Sequence, residues 1–183
     1  MRVIAGKARS IPLKTVEGLD TRPTTDRIKE TLFNMLQNEL ADCLFVDLFS
    51  GSGGIGIEAL SRGARKAIFV EKAPKAVECI KENLKKTKLE NEAVVIAADA
   101  VSAIYRLNQS EPADFIFMDP PYQQQLEKQV LEALKNSPLV DEYTTIIVEA
   151  DLNTDFSYLE DEGYRIEKQK KYKTNQHVFI TLA

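Results

Sequence analysis

The sequence predicts an α/β fold: an open, mostly parallel sheet of seven strands flanked by helices, with the last strand antiparallel. Three observations carry this. Strand-type and helix-type segments alternate five times between residues 43 and 162, the rhythm of parallel βα units. A glycine-rich run, Ser50-Gly51-Ser52-Gly53-Gly54-Ile55-Gly56, joins the first of those strands to its helix, a context that suits nucleotide-like ligands. Two strand-type runs then follow each other near the C-terminus, Tyr164–Tyr172 and His177–Leu182, about a short turn at Thr174-Asn175. A plain dinucleotide-binding fold has no place for that closing hairpin.

The elements follow in order. Residues 1–15 read as a small β-hairpin. Arg2-Val3-Ile4-Ala5 pairs with Arg9–Leu13 across Gly6-Lys7-Ala8, and Pro12 marks an edge strand because it has no N–H to donate. Residues 16–23 are loop. A helix spans Thr25 to Leu40, with Ile28, Leu32, Phe33, Met35, Leu36 and Leu40 on its apolar face and Thr24 or Thr25 as its cap. Strands fall near 43–49, 66–71, 93–98, 113–118 and 143–150, and helices near 54–62, 73–87, 100–108, 124–136 and 154–162. This predicts one domain: an extension over 1–40 joined to a core over 41–183.

Composition bounds the function. With 183 residues, 44% hydrophobic and 28% charged, the chain fits one sizeable core of ordinary globular character. No apolar run approaches the roughly 20 residues of a membrane span, and no signal-peptide segment follows the basic N-terminus. Cys43 and Cys79 sit in apolar-periodic segments and suggest core positions, without a disulfide framework or a metal site. A reducing cytoplasm and a monomer are the expectations. The net charge of −4 is not that of a general nucleic-acid binder, but the cations are clustered. Arg2, Lys7, Arg9, Lys14, Arg22, Arg27 and Lys29 crowd the N-terminal region, and Arg165, Lys168, Lys170, Lys171 and Lys173 form a second run. The N-terminal set reads as RNA-contacting. The second run reads equally as solvated surface or as phosphate-binding.

Asp119-Pro120-Pro121-Tyr122 follows the apolar strand Asp114–Met118. The two prolines end the strand. They leave a carboxylate, a stiff carbonyl and an aromatic ring at its C-terminal end, the ligand-binding edge of an open α/β sheet. That cluster suits methylation of an exocyclic amine. Asp119 and the Pro120 carbonyl can accept the two N–H bonds of the amine, while Tyr122 stacks on the base.

A donor site lies upstream. Gly51, Gly53 and Gly56 satisfy the G-x-G-x-x-G pattern, which NAD-type domains share. Asp47, at the end of the preceding strand, repels a pyrophosphate but attracts a cation such as the α-ammonium of S-adenosylmethionine. Glu71 ends the next strand 20 residues after Gly51, the spacing of a carboxylate that binds ribose hydroxyls. Asp99-Ala100 ends the third strand, where an acid can accept from an adenine amino group.

With Asp47-Leu48-Phe49-Ser50-Gly51-Ser52-Gly53, Glu71-Lys72, Asp99-Ala100 and Asp119-Pro120-Pro121-Tyr122, the chain resembles the class I S-adenosylmethionine-dependent methyltransferases with their Rossmann-like seven-stranded sheet. Arg2-Val3-Ile4-Ala5-Gly6 and Arg22-Pro23-Thr24-Thr25-Asp26-Arg27 narrow the resemblance to the RsmD family, the bacterial 16S ribosomal RNA guanine-N2 methyltransferases. The resemblance implies S-adenosylmethionine as cofactor and 16S rRNA of the small subunit, within an assembled particle, as partner. It implies that Thr24, Thr25 and Arg27 cover the cofactor or touch rRNA. Where the family shows Tyr-Gly-Asp/Asn-Thr, this chain has Tyr172-Lys173-Thr174-Asn175, so no role is carried to that turn. His177, the single histidine, reads as structural or surface and away from the site edge. Two other readings stay open: a DNA adenine-N6 methyltransferase, and a non-catalytic RNA-binding assembly protein of the same fold.

Overall fold

In the computed structural model, residues 1–18, 24–108, 111–122 and 124–183 are described. The seven strands form a sheet in the order β3-β2-β1-β4-β5-β7-β6. Strand β1 is Leu44–Asp47, β2 Lys66–Glu71, β3 Ala93–Ala97, β4 Phe115–Met118, β5 Thr145–Asp151, β6 Tyr164–Lys171 and β7 Asn175–Leu182. The helices are α1 Asp26–Leu36, α2 Gly54–Ser61, α3 Pro74–Thr87, α4 Ala100–Arg106 and α5 Leu126–Lys135. Strand β7 pairs antiparallel with both β5 and β6. By internal packing the chain divides into two units, Met1–Asp99 and Ala100–Ala183.

In the first unit, β1 and β2 pair from Leu44 opposite Lys66 to Asp47 opposite Phe69, and β2 pairs with β3. All four residues of β1 are buried, as expected for a parallel strand covered on both faces. Helix α2 packs on β1 and β2, and α3 on β2 and β3. Thr25 caps α1, its side-chain oxygen accepting from the Ile28 amide at 3.3 Å. That helix stops at Leu36, short of the expected Leu40, though Leu40 is still buried. The N-terminal hairpin forms, but with a single bridge, Arg2 to Pro12. Val3 and Ile11 (3.0 Å), Ser10 and Val3 (2.8 Å) and Leu13 and Met1 (2.9 Å) complete its pairing. Pro12 can donate nothing to lengthen it.

In the second unit, β4 pairs with β5 so that Met118 faces Val148, and β5 with β7 so that Glu149 faces His177. Helices α4 and α5 pack together. The Tyr164 hydroxyl donates to the Leu131 carbonyl at 2.6 Å, tying β6 to α5. The helix expected over 154–162 does not form. Asp155 accepts from the Ser157 amide at 2.9 Å and from its hydroxyl at 3.0 Å, and Asp151 accepts from the Asn153 amide at 2.8 Å. Such local side-chain bonds compete with the helical ladder, and the segment closes as successive turns ending at Gly163, whose φ is +83°.

Candidate active site

The first unit holds the glycine loop between β1 and α2. Three bonds stitch it to the strand ends. The Ser50 amide donates to the Val70 carbonyl at 2.9 Å, the Ser50 hydroxyl donates to the Asp47 carbonyl at 2.9 Å, and that hydroxyl accepts from the Val70 amide at 3.1 Å. Ser52 is held from outside, its carbonyl accepting from the Asn83 side chain at 2.9 Å. Gly51 has a φ of +53° and faces open space where a side chain would begin. Gly56 does the opposite job. A Cβ there would lie 2.4 Å from the Phe69 ring, so its bare backbone lets α2 sit down on β2. Gly53 caps the start of α2, and Phe49 is half-buried.

Asp47 is buried, 1% exposed, and neither carboxylate oxygen has a hydrogen-bond partner among the described residues. Burial pushes its pKa up to about 7, and the charge of Glu71 adds to the rise. The amides of Phe49 and Gly56 favour the ionised form only in part and do not reach hydrogen-bond geometry. A buried carboxylate without partners is costly. A cationic ligand group supplies what it lacks, so the loop fits the α-ammonium of S-adenosylmethionine. Glu71 is half-buried and already oriented: it accepts from the Gly51 amide at 2.8 Å and from the Ala73 amide at 2.9 Å. Each oxygen keeps a second lone pair for a hydroxyl donor. Lys72 and Asp99 are exposed at their strand ends, and Ala100 is buried as the first residue of α4.

Sequence reasoning missed the clamp on the N-terminal arm. Glu58 is fully buried and accepts from the amides of Ile4 (2.9 Å) and Ala5 (3.2 Å) and from Arg62 Nε (3.0 Å). Lys29, also buried, lies 3.7 Å from it and donates to the Arg2 carbonyl at 2.6 Å. Ser61 adds bonds to Ala5 and Ala8 at 2.6 and 2.9 Å. The signal was a lone acid inside the apolar run of α2. This clamp presents Arg2, Lys7 and Arg9 outward on a fixed arm, and Arg27 is exposed on α1. Thr24 is half-buried beside the capping Thr25. Arg22 lies outside the described residues.

The second unit holds the acceptor motif. Strand β4 is wholly buried and delivers a half-buried Asp119, a buried Pro120, an exposed Pro121 and Tyr122, 41% exposed. His177 corrects the sequence reading in one respect. It is structural, being fully buried, but it is not remote from this edge. Met118 faces Val148, and Glu149, the next residue on β5, faces His177, so the histidine shares the row that follows Met118. His177 Nε2 lies 3.1 Å from Glu149 and Nδ1 lies 3.2 Å from the Tyr172 hydroxyl. Asn175 donates to the other Glu149 oxygen at 2.9 Å. The Phe117 ring meets His177 edge-on, 5.9 Å between centroids. The Tyr172 and Asn175 that the sequence left without a role are thus partners in this buried network.

Among the described residues no cluster of acidic, histidine or cysteine side chains could hold a metal, and no helix is long and apolar enough to cross a membrane. Neither cysteine is in a disulfide and both are buried, as core positions.

Comparison with known proteins gives consistent matches. The family model described as "Conserved hypothetical protein 95" matches residues 1–181. A Bacillus subtilis (strain 168) protein named "Putative rRNA methyltransferase YlbH" is 42% identical over 152 residues, covering 82% of this chain and 83% of that one. The "Ribosomal RNA small subunit methyltransferase D" of Haemophilus influenzae is 35% identical over 154 residues, covering 82% and 79%. Among solved structures, "Putative methyltransferase yhhF from Escherichia coli" superposes with a TM-score of 0.84 at 29% identity, covering 100% of this chain and 97% of that one.

Proposed function

From a chain that belongs to the conserved hypothetical protein 95 family, the RsmD methyltransferases, we propose methyl transfer from S-adenosylmethionine to the exocyclic N2 amine of a guanine in 16S rRNA. The observation that supports it most is Asp119-Pro120-Pro121-Tyr122, carried at the C-terminal end of β4 with the tyrosine ring exposed.

S-adenosylmethionine supplies a methyl group already activated on a sulfonium. This chain's residues do the rest by positioning. Asp47 pairs the donor's α-ammonium, Glu71 accepts from its ribose hydroxyls, and Asp99 accepts from its adenine amino group. Thr24 and Thr25 border the methionine end. The target guanine leaves its stack and lies against Tyr122, a contact worth about 1–3 kcal/mol. Its 2-amino nitrogen is a poor nucleophile because the lone pair is delocalised into the ring. The Asp119 carboxylate and the rigid Pro120 carbonyl accept its two N–H bonds, which favours a pyramidal nitrogen with a localised lone pair. Displacement would form the new N–C bond as the methyl's bond to sulfur breaks, releasing S-adenosylhomocysteine, and the amine would give its extra proton to water afterwards, so no strong base is needed before transfer. Arg2, Lys7, Arg9, Arg22 and Arg27 neutralise rRNA phosphates. The substrate is rRNA of the small subunit, within the cytoplasm.

The test offers tritiated S-adenosylmethionine to small ribosomal subunits, free rRNA, DNA and buffer. Label in rRNA, recovered as N2-methylguanine, is the expected result. Label in DNA alone overturns the rRNA assignment, and no label anywhere points to a binding protein.

A further inference from the structure

Strand β6 is the outer edge of the sheet, and every residue of it after Tyr164 is exposed. From Arg165 to Lys173 it and its turn carry five cations, Arg165, Lys168, Lys170, Lys171 and Lys173, against one acid, Glu167, in a chain of net charge −4. That acid is already engaged by Arg165 at 2.7 Å and by the Thr181 hydroxyl at 3.0 Å. Among the described residues no carboxylate forms an ion pair with Lys168, Lys170, Lys171 or Lys173. Lysines on an edge strand also block strand-to-strand aggregation. That role does not require them to share one sheet face with the candidate site, and two of them do.

The β6–β7 register slips between Ile166 and Lys168. The bulge resets the alternation, so that Lys168 faces Phe179 and Lys170 faces His177. The ammonium of Lys168 sits over the Phe179 ring, 6.0 Å from its centroid, and the Tyr172 hydroxyl reaches His177 from the same side. Across β7 and β5 this row continues as His177 and Glu149, level with the position just after Met118 on β4. Lys170 therefore stands on the same end of the same sheet face as the start of Asp119-Pro120-Pro121-Tyr122. Three strand spacings separate β6 from β4, about 14 Å, a distance that a short stretch of nucleic-acid backbone spans.

We propose that β6 is a phosphate-binding rail for the RNA strand that carries the target base. Lys168 and Lys170 contact the backbone on the site face, and Lys171 and Lys173 extend the field around the edge. This rests on the RNA-methylation reading and adds a second contact region to the N-terminal arm. Its occupant is a phosphate backbone, because the surface offers ammonium groups on flexible stems, which suit phosphate contacts rather than the reading of base edges.

The experiment compares wild-type protein with Lys168→Glu/Lys170→Glu/Lys173→Glu and with a control, Lys85→Glu/Lys86→Glu/Lys88→Glu, exposed lysines in the last turn and C-cap of α3. Three readouts are taken: binding of a 16S rRNA fragment as a function of salt, KM and kcat on small subunits and on free rRNA, and S-adenosylhomocysteine binding. The β6 variant should bind RNA at least tenfold more weakly at low salt. Its slope of log K against log salt should fall by about 2 to 3, with KM raised and cofactor binding and melting temperature unchanged. An unchanged slope and KM overturn the rail, as does an equal loss in the α3 control. Loss on assembled subunits but not on free rRNA also overturns it, because the occupant is then an acidic protein surface. If the wild type methylates no RNA but the β6 variant still loses affinity and slope, the RNA-methylation reading fails while phosphate binding by β6 stands. If methylation persists and the slope is unmoved by the variant, the reading stands and the rail fails.

Discussion

Glu71 accepts from the backbone amide of Gly51 at 2.8 Å and from that of Ala73 at 2.9 Å, so one carboxylate at the end of β2 holds both the glycine loop and the entry to α3. Replacing it with glutamine leaves only one acceptor oxygen for two amides and turns an NH2 group towards the other. Hydrogen bonds to a charged acceptor contribute about 1.5–3 kcal/mol. Glu71→Gln should therefore weaken S-adenosylhomocysteine binding by roughly tenfold or more, as isothermal titration calorimetry measures. An unchanged affinity would remove Glu71 from the donor site.

Asp47 predicts opposite pH trends for the free and the liganded protein. Its folded pKa is raised to about 7 from 3.8, so the folded state holds this proton more tightly than the unfolded chain. Stability associated with it is present below pH 3.8 and is lost as pH rises to about 7. Free Asp47→Asn should accordingly melt higher than wild type at pH 8 and close to it at acid pH. A bound ammonium favours the ionised carboxylate, so wild-type affinity for S-adenosylhomocysteine should rise between pH 5.5 and 8. The asparagine variant should bind weakly throughout. A flat wild-type affinity across that range would place the ammonium elsewhere.

Gly56 tests the packing of α2 on β2. A methyl group 2.4 Å from the Phe69 ring meets a side chain that is itself fully buried on a central strand, so neither element can yield easily. Overpacking of this kind costs about 1–3 kcal/mol. Gly56→Ala should lower the urea midpoint by a corresponding amount, with unchanged m-value. Gly51→Ala, facing open space, carries only the strain of its positive φ and should be the milder of the two.

The sequence announced the sheet because its signals were periodic and local. Apolar β-branched runs gave β1 to β5, and the paired runs around Thr174 gave the antiparallel β7. The strand-end acids were legible for the same reason, since each is the first charge after an apolar run. What escaped was what depends on partners distant in the chain. Glu58 looks like one helical acid until Ile4, Ala5 and Lys29 are brought to it. His177 looked remote because strand register, not sequence distance, sets it in the row after Met118. The segment 154–162 has a helical pattern, but Asp155 and Ser157 satisfy one another first.

Glu58→Ala should expose the dependence of the arm on that hidden acid. The change leaves the Lys29 charge buried and the amides of Ile4 and Ala5 without their acceptor. Breaking a buried pair from one side costs about 3–5 kcal/mol. Hydrogen exchange at Ile4 and Ala5 should accelerate before global unfolding, and affinity for rRNA should fall because Arg2, Lys7 and Arg9 lose their fixed carrier. Glu58→Gln keeps an acceptor and should lose less on both measures. If the arm amides stay protected in the alanine variant, other contacts hold the arm.

Asp119 and Tyr122 separate binding from chemistry. Asp119→Ala removes an acceptor aimed at the reacting amine. Loss of one such preorganised hydrogen-bonding group typically costs about 10²–10³ in turnover. Single-turnover methylation of small subunits should fall by at least that factor while S-adenosylhomocysteine affinity holds. Asp119→Asn keeps the shape but offers one acceptor and an NH2 group that opposes the amine's own donors, so it should be nearly as inactive. Tyr122→Ala removes the stacking face, worth about 1–3 kcal/mol, and should cost roughly five- to 150-fold in kcat/KM. Tyr122→Phe retains the ring and should restore most of it. The pattern matters more than any single value: full turnover in Asp119→Ala, or equal losses in Tyr122→Phe and Tyr122→Ala, would show that the amine is held by other groups.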